Sequence, residues 1–195
     1  TINANAGETV TLTTVVSGAQ NHYVWFKDGV QIPGAPDSPN YVINNVNSCD
    51  IGVYHSAIRS DLVPFDNANA PVTSGKNLLL VRNDITLNVA YTPSCVTLNA
   101  PANGATNIPI NSGISWNDNP GACGYFISIG TTPGGTDLVN NVDVGDVTNY
   151  NLGTNFPSNT QIYVTITPYF QTGPALVCPS ESFTTSATTV LPDCT

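Results

Sequence analysis

The apolar residues of this chain recur with a period of two, in runs too short to make anything but strands. Val10-Thr11-Leu12-Thr13, Tyr125-Phe126-Ile127-Ser128-Ile129 and Ile162-Tyr163-Val164-Thr165-Ile166 each alternate, which places Tyr125, Ile127 and Ile129 on one face of an extended backbone. No segment sustains helical periodicity. Sixteen Gly and fifteen Pro interrupt these runs, and a turn signal roughly every 8 to 12 residues is the rhythm of a β-sandwich. With 41% hydrophobic residues, Val, Ile, Thr and Tyr among them, the chain has the material to close a core rather than stay disordered. The expected fold class is all-β, in two tandem β-sandwich domains.

A length of 195 residues suits two domains of roughly 90 to 100 residues, and the composition shifts near residue 90. The expected division is 1–90, a short Pro-containing linker at 91–94, a second domain at 95–187, and a connecting segment at 188–195. Pro93-Ser94-Cys95 returns as Pro192-Asp193-Cys194, 99 positions later and after a Thr-rich tail from Phe183 to Thr189, as in a tandem array cut where its next copy begins. On this reading the chain is a slice of a longer secreted or surface protein.

Charge narrows the partners. Four Lys and Arg against thirteen Asp and Glu give a net charge of −9, the wrong sign for nucleic acid or an anionic bilayer. No apolar stretch is long enough to span a membrane, and Thr1 opens no signal peptide, so any targeting segment is expected outside the slice. Five cysteines without a CxxC pair predict disulfides and hence an oxidising, extracellular location. Asn-x-Ser/Thr acceptors are absent from the sequence, which argues against a glycosylated eukaryotic ectodomain.

In the first half, Gly7 to Thr13, Tyr23-Val24-Trp25-Phe26-Lys27-Asp28-Gly29, Tyr41-Val42-Ile43 and Asp50-Ile51-Gly52-Val53-Tyr54 follow one another. This order resembles an immunoglobulin-like domain of the intermediate-set kind over about residues 2 to 89. The resemblance implies that Trp25 is the core Trp of strand C, and that Asp50 and Tyr54 form the turn into strand F, with the Tyr54 hydroxyl bonded back to the preceding corner. It also implies an inter-sheet disulfide at two positions that hold Thr14 and Ser56. Asp61 to Lys76 is expected to be a long loop before the last strand, Ile85 to Val89.

In the second half, Ile114-Ser115-Trp116, Tyr125 to Ile129 and Phe156-Pro157-Ser158-Asn159-Thr160-Gln161-Ile162 resemble a fibronectin type III domain. Trp116 then lies in strand B and Tyr125 in strand C, while Ile162 stands where the corner Tyr belongs. Gly130 to Asp137, Val142 to Thr148, Ile162 to Tyr169 and Cys178-Pro179-Ser180-Glu181-Ser182-Phe183 look like the repeats of very long secreted proteins of Bacteroidetes, marine flavobacteria in particular. What this resemblance implies is cell-surface attachment, including gliding and adhesion machinery. In a type III sandwich the first and last strands start at one end, which implies a Cys95–Cys178 bridge. Cys49 and Cys123 would then be an interdomain pair and Cys194 an orphan. Cys123–Cys178, with Cys95 and Cys49 free or paired otherwise, stays open as an alternative.

Reaction chemistry is sparse. The sequence holds no G-x-S-x-G, H-E-x-x-H or P-loop motif and only two Glu, so no enzyme activity is expected. His22, read as a loop residue before Trp25, and His55, read as outward-facing after Tyr54, are expected at opposite ends of the first domain and make no metal pair. Asp137, Asn140, Asn141, Asp143 and Asp146 are oxygen donors of the kind calcium takes, but alternating strand residues diverge. They form a weak calcium candidate, and no cofactor is otherwise expected. Tyr163, Tyr169, Phe170 and Phe126 are candidates for stacking on sugars. The expected function is a non-catalytic spacer segment of a large exported bacterial adhesin, partnered by neighbouring domains of its own chain. The alternatives are a module binding surface glycans or proteins, and an ancillary segment of a secreted polysaccharide-degrading enzyme.

Overall fold

The computed structural model describes residues 1–17, 20–64, 77–173 and 175–187. The chain divides into two compact units, Thr1–Tyr91 and Thr92–Thr195, each an all-β sandwich.

The first unit contains β1 (Ile2–Asn5), β2 (Val10–Thr13), β3 (Asn21–Lys27), β4 (Val30–Gln31), β5 (Asn40–Ile43), β6 (Gly52–Pro64), β7 (Asn77–Val81) and β8 (Ile85–Ala90). One sheet runs β1-β8-β6-β3-β4, with β7 also on β6, and β2 pairs with β5 in the other. β1 lies parallel to β8. β7 and β8 occupy the same edge of β6 in succession, pairing with Ala57 to Pro64 and Gly52 to Tyr54 respectively. Asp28 and Gly29 both have positive φ, 49° and 80°, the two-residue turn geometry that lets β3 fold back on β4. Alternation settles which side chains meet. Leu12, Trp25, Val46, Tyr54 and Leu87 are buried between the sheets, and burying each large apolar side chain contributes about 1.5–3 kcal/mol.

The second unit contains β9 (Leu98–Ala100), β10 (Ile114–Trp116), β11 (Gly124–Gly130), β12 (Val139–Asp143), β13 (Asn149–Tyr150), β14 (Gln161–Tyr169) and β15 (Glu181–Thr184). A three-stranded sheet, β13-β10-β9, faces a four-stranded one, β12-β11-β14-β15. Tyr125, Ile127 and Ile129 of β11 and Ile162, Val164 and Ile166 of β14 all point into the core. Trp116 meets the Tyr125 ring edge-on at 5.6 Å, and Phe156 meets Phe183 likewise at 5.5 Å.

Three expectations change. His22 lies within β3, opposite Arg59, because the strand starts at Asn21 rather than at Tyr23. The chain after Tyr54 does not enter a loop at Asp61: β6 continues to Pro64, where it pairs with Asn77. Residues 65–76 lie outside the described residues. Thr92 and Ser94, expected as linker, are hydrogen-bonded to Asn119 of the second unit, which draws them into that fold.

Candidate functional site

The polar side chains of the first unit are largely engaged in fixing its turns. Asn47 and Asp50 form a reciprocal cap around the short 3-10 turn Ser48–Asp50, satisfying backbone groups that a helix start leaves unpaired. Just beyond it the Tyr54 hydroxyl donates to the Asp50 carbonyl at 2.8 Å, and burial pushes its phenol pKa up. Lys27 donates to the Cys49 carbonyl and lies 6.0 Å from the Tyr54 ring centre. Asp28 accepts from the Val53 amide at 2.8 Å. A side chain at Gly52 would strike that carboxylate, so only glycine fits there.

Each histidine meets a carboxylate. His22 contacts the Asp37 carboxylate through Nδ1 at 2.6 Å, and Asp37 also accepts from the Tyr23 amide at 2.5 Å. The bond to His22, then that to Tyr23, holds the Asp37 pKa below its ordinary value. His55 stacks on Phe26 with ring centres 4.9 Å apart, and its Nδ1 is 3.7 Å from Asp84. Thr14 and Ser56, where the resemblance implied a disulfide, are both buried. Arg82 touches both positions: its amide donates to the Ser56 carbonyl and its Nε to Thr14 Oγ1 at 3.2 Å. The Ser56 hydroxyl has no partner.

The position where the type III resemblance implied a corner Tyr is filled by Ile162, and a threonine serves that corner. Ile162 is fully buried and offers no hydroxyl. Buried Thr185, just after β15, takes over from the other strand: its Oγ1 accepts from the Thr160 amide at 2.9 Å and donates to the Pro157 carbonyl at 2.6 Å. At the opposite loop, Tyr125 donates to Asp118 at 2.7 Å and accepts from the Asn119 amide at 2.8 Å. Asn119 in turn bonds the Gly121 amide and the Thr92 and Ser94 carbonyls. Nothing in strand periodicity announces Thr185 or Asn119. Their roles depend on which loops the sandwich brings together.

Cys95 and Cys178 are joined in a disulfide with Cα atoms 5.5 Å apart, within the reach such a bond requires. Each of Cys49 and Cys123 is also engaged in a disulfide. Cys194 lies outside the described residues.

The calcium candidates serve their own turns instead of converging. Asp137 accepts from the Thr131 amide and hydroxyl, both at 2.9 Å, and these bonds lower its pKa. Asp143 accepts from the Gly145 amide at 2.9 Å. Asn141 has a positive φ of 47° at a register shift between β11 and β12, so Asn140 and Asn141 are exposed in a bulge, and Asp146 is exposed beyond the strand. Among the described residues, no group of three His, Cys, Asp or Glu side chains comes together in a way that could hold a metal ion.

One cluster of the second unit lies outside its core. Phe126, Thr167 and Asp143 are register partners across β11, β14 and β12, so they share the outer face of the four-stranded sheet. Tyr169, opposite Gly124, lies on the same face. A Cβ on Gly124 would stand 2.5 Å from the Tyr169 hydroxyl oxygen and 2.7 Å from its Cζ. The hydroxyl end of the ring therefore sits over the glycine, beside the Gly145 backbone, reaching Asp143 Oδ1 at 3.3 Å, with Phe126 5.0 Å away at a tilt of 44°. The sequence nominated these aromatics but not Gly124, the residue that makes the arrangement possible.

No known family profile matches the chain, and no curated protein matches it either. Solved structures do. Domains 3–5 of the Drosophila OTK extracellular region are 12% identical over 95% of this chain and 62% of that one, with a TM-score of 0.35. Immunoglobulin domains 1–4 of Sidekick-1 are 13% identical over 95% and 48%, with a TM-score of 0.35. Three N-terminal domains of the bacteriophage RB49 outer capsid protein Hoc are 11% identical over 93% and 55%, at 0.34. The chain thus spans less than two thirds of each. Scores this low add nothing to the fold assignment, which rests on strand order: in the first unit, the parallel β1–β8 edge, the β6–β3 pair around Trp25 and the Tyr54 corner make an immunoglobulin-like sandwich.

Proposed function

We propose that this chain is a non-catalytic, extracellular structural segment of a larger adhesin-type protein, in which its two sandwiches space or present other domains. The Cys95–Cys178 disulfide is the observation that carries the reading, because such bonds form and persist in oxidising compartments. The spending of polar side chains on caps and corners is consistent with it. The pairing of a β13-β10-β9 sheet with a β12-β11-β14-β15 sheet supports a fibronectin type III-like second unit, and the sequence resemblance to Bacteroidetes surface repeats supports attachment or gliding machinery as the setting. The test is thiol trapping of the protein in its native cells, together with protease treatment of intact cells. Cysteines blocked to alkylation until reductant is added, and cleavage by external protease, are expected. Freely alkylated thiols, or protection from protease until lysis, would overturn the reading.

A further inference from the structure

We infer that the outer face of the four-stranded sheet in the second unit carries a binding site for a neutral pyranose sugar, built from Tyr169, Phe126, Asp143 and Thr167. The site goes beyond the structural role proposed above and does not depend on it.

The geometry starts at Gly124. Because no side chain rises there, the hydroxyl end of the Tyr169 ring comes down against the backbone of β11, beside the Gly145 backbone, and the Tyr169 and Phe126 side chains stay half-buried. An aromatic face carries negative charge density, and the C–H bonds on one side of a pyranose ring present its complement. Phe126, tilted by 44° at 5.0 Å, gives the platform a second, angled wall and so a sense of direction. The sugar's hydroxyls need acceptors at the platform's rim. Asp143 supplies one: its Oδ1 is fixed by the Gly145 amide and the Tyr169 hydroxyl, which orients the carboxylate and leaves Oδ2 for a charge-assisted bond to a sugar hydroxyl. Thr167 adds a hydroxyl from the next strand, in register with Phe126.

Charge selects within the class. The site carboxylate and the net charge of −9 disfavour uronic and sulfated sugars, so the ligand is an uncharged hexose or pentose unit of a polysaccharide. An occupant of the ordinary protein-docking kind would need a broad apolar surface, whereas this platform is two rings wide and rimmed by oxygen.

The experiment titrates the oxidised full chain with gluco-, manno-, galacto- and xylo-oligosaccharides, and separately with oligogalacturonate, by calorimetry and by backbone amide shifts in NMR. At least one neutral oligomer is expected to bind with a dissociation constant on the order of 1 mM or tighter, shifting amides at 124–126, 143–145 and 167–169. Oligogalacturonate is expected to bind at least tenfold more weakly. Asp143→Asn, at an exposed position, and Tyr169→Ala should each weaken binding at least tenfold. If Tyr169→Ala proves unfolded, Asp143→Asn and the amide map decide alone. No binding by any neutral oligomer, binding with shifts elsewhere, or affinity unchanged in Asp143→Asn would overturn the assignment.

Discussion

Thr185→Val tests whether a threonine hydroxyl holds the corner before β14 in the second unit. The substitution keeps shape and removes the hydroxyl, which accepts from the Thr160 amide at 2.9 Å and donates to the Pro157 carbonyl at 2.6 Å from a position only 2% exposed. Two lost hydrogen bonds cost about 1 kcal/mol each, and an amide left unpaired in a part-buried corner adds about 1 kcal/mol or more. The expected loss is about 2–4 kcal/mol. For a domain of roughly 100 residues each kcal/mol moves the melting point by about 4–8 °C, so a drop of at least about 8 °C is expected. Thr185→Ser is the control, since it keeps the hydroxyl and loses a methyl worth about 0.8 kcal/mol. Calorimetry of the oxidised chain reads the transition, and Trp116 fluorescence assigns it to the second unit. Trp116 packs on Tyr125 in that core, while Trp25 reports on the other unit. If Val is no worse than Ser, the hydroxyl does not hold the corner and the argument fails.

Other outcomes follow from the same structure. Reducing Cys95–Cys178, which closes a loop of 83 residues' separation, should destabilise the second unit by up to about 4.5 kcal/mol on the chain-entropy account; denaturant melts with and without reductant measure this in a variant where Cys49 and Cys123 are Ser. Ser56→Ala removes a buried hydroxyl that has no partner, so the first unit should be unchanged or up to about 1 kcal/mol more stable, and a clear loss in urea titration would reveal a partner. Asp37 has a folded pKa below its ordinary 3.8, so its contribution is present above that value and lost as pH falls through the folded one; the melting difference between wild type and Asp37→Asn should be present at pH 7 and vanish in strong acid, and a difference that persists there would refute it. Chelator should leave both melting points within a few degrees of their values in millimolar calcium, because the Asp137 and Asp143 carboxylates are bonded to their own turns; a larger shift abolished by Asp143→Ala would restore the metal reading.

Strand identity and facing were legible in the sequence because a period of two is a local property. Tyr125, Ile127, Ile129, Ile162, Val164 and Ile166 needed nothing beyond their own order to be placed in a core, and Asp28-Gly29 announced its turn by the rarity of other residues that tolerate two positive φ angles. The start of β3 at Asn21 and the run of β6 to Pro64 were not legible, since a strand's ends are set by how far its neighbour continues to offer hydrogen bonds. Tertiary structure alone decided the rest. Thr185 became a corner because Pro157 and Thr160 arrive beside it from 25 or more residues away, and Asp143 meets Gly145 and Tyr169 because its register with Phe126 sets it on the face where Tyr169 arrives from β14. Gly124 matters through the ring whose hydroxyl end sits over it, and that ring comes from a residue on the neighbouring strand, 45 positions along the chain.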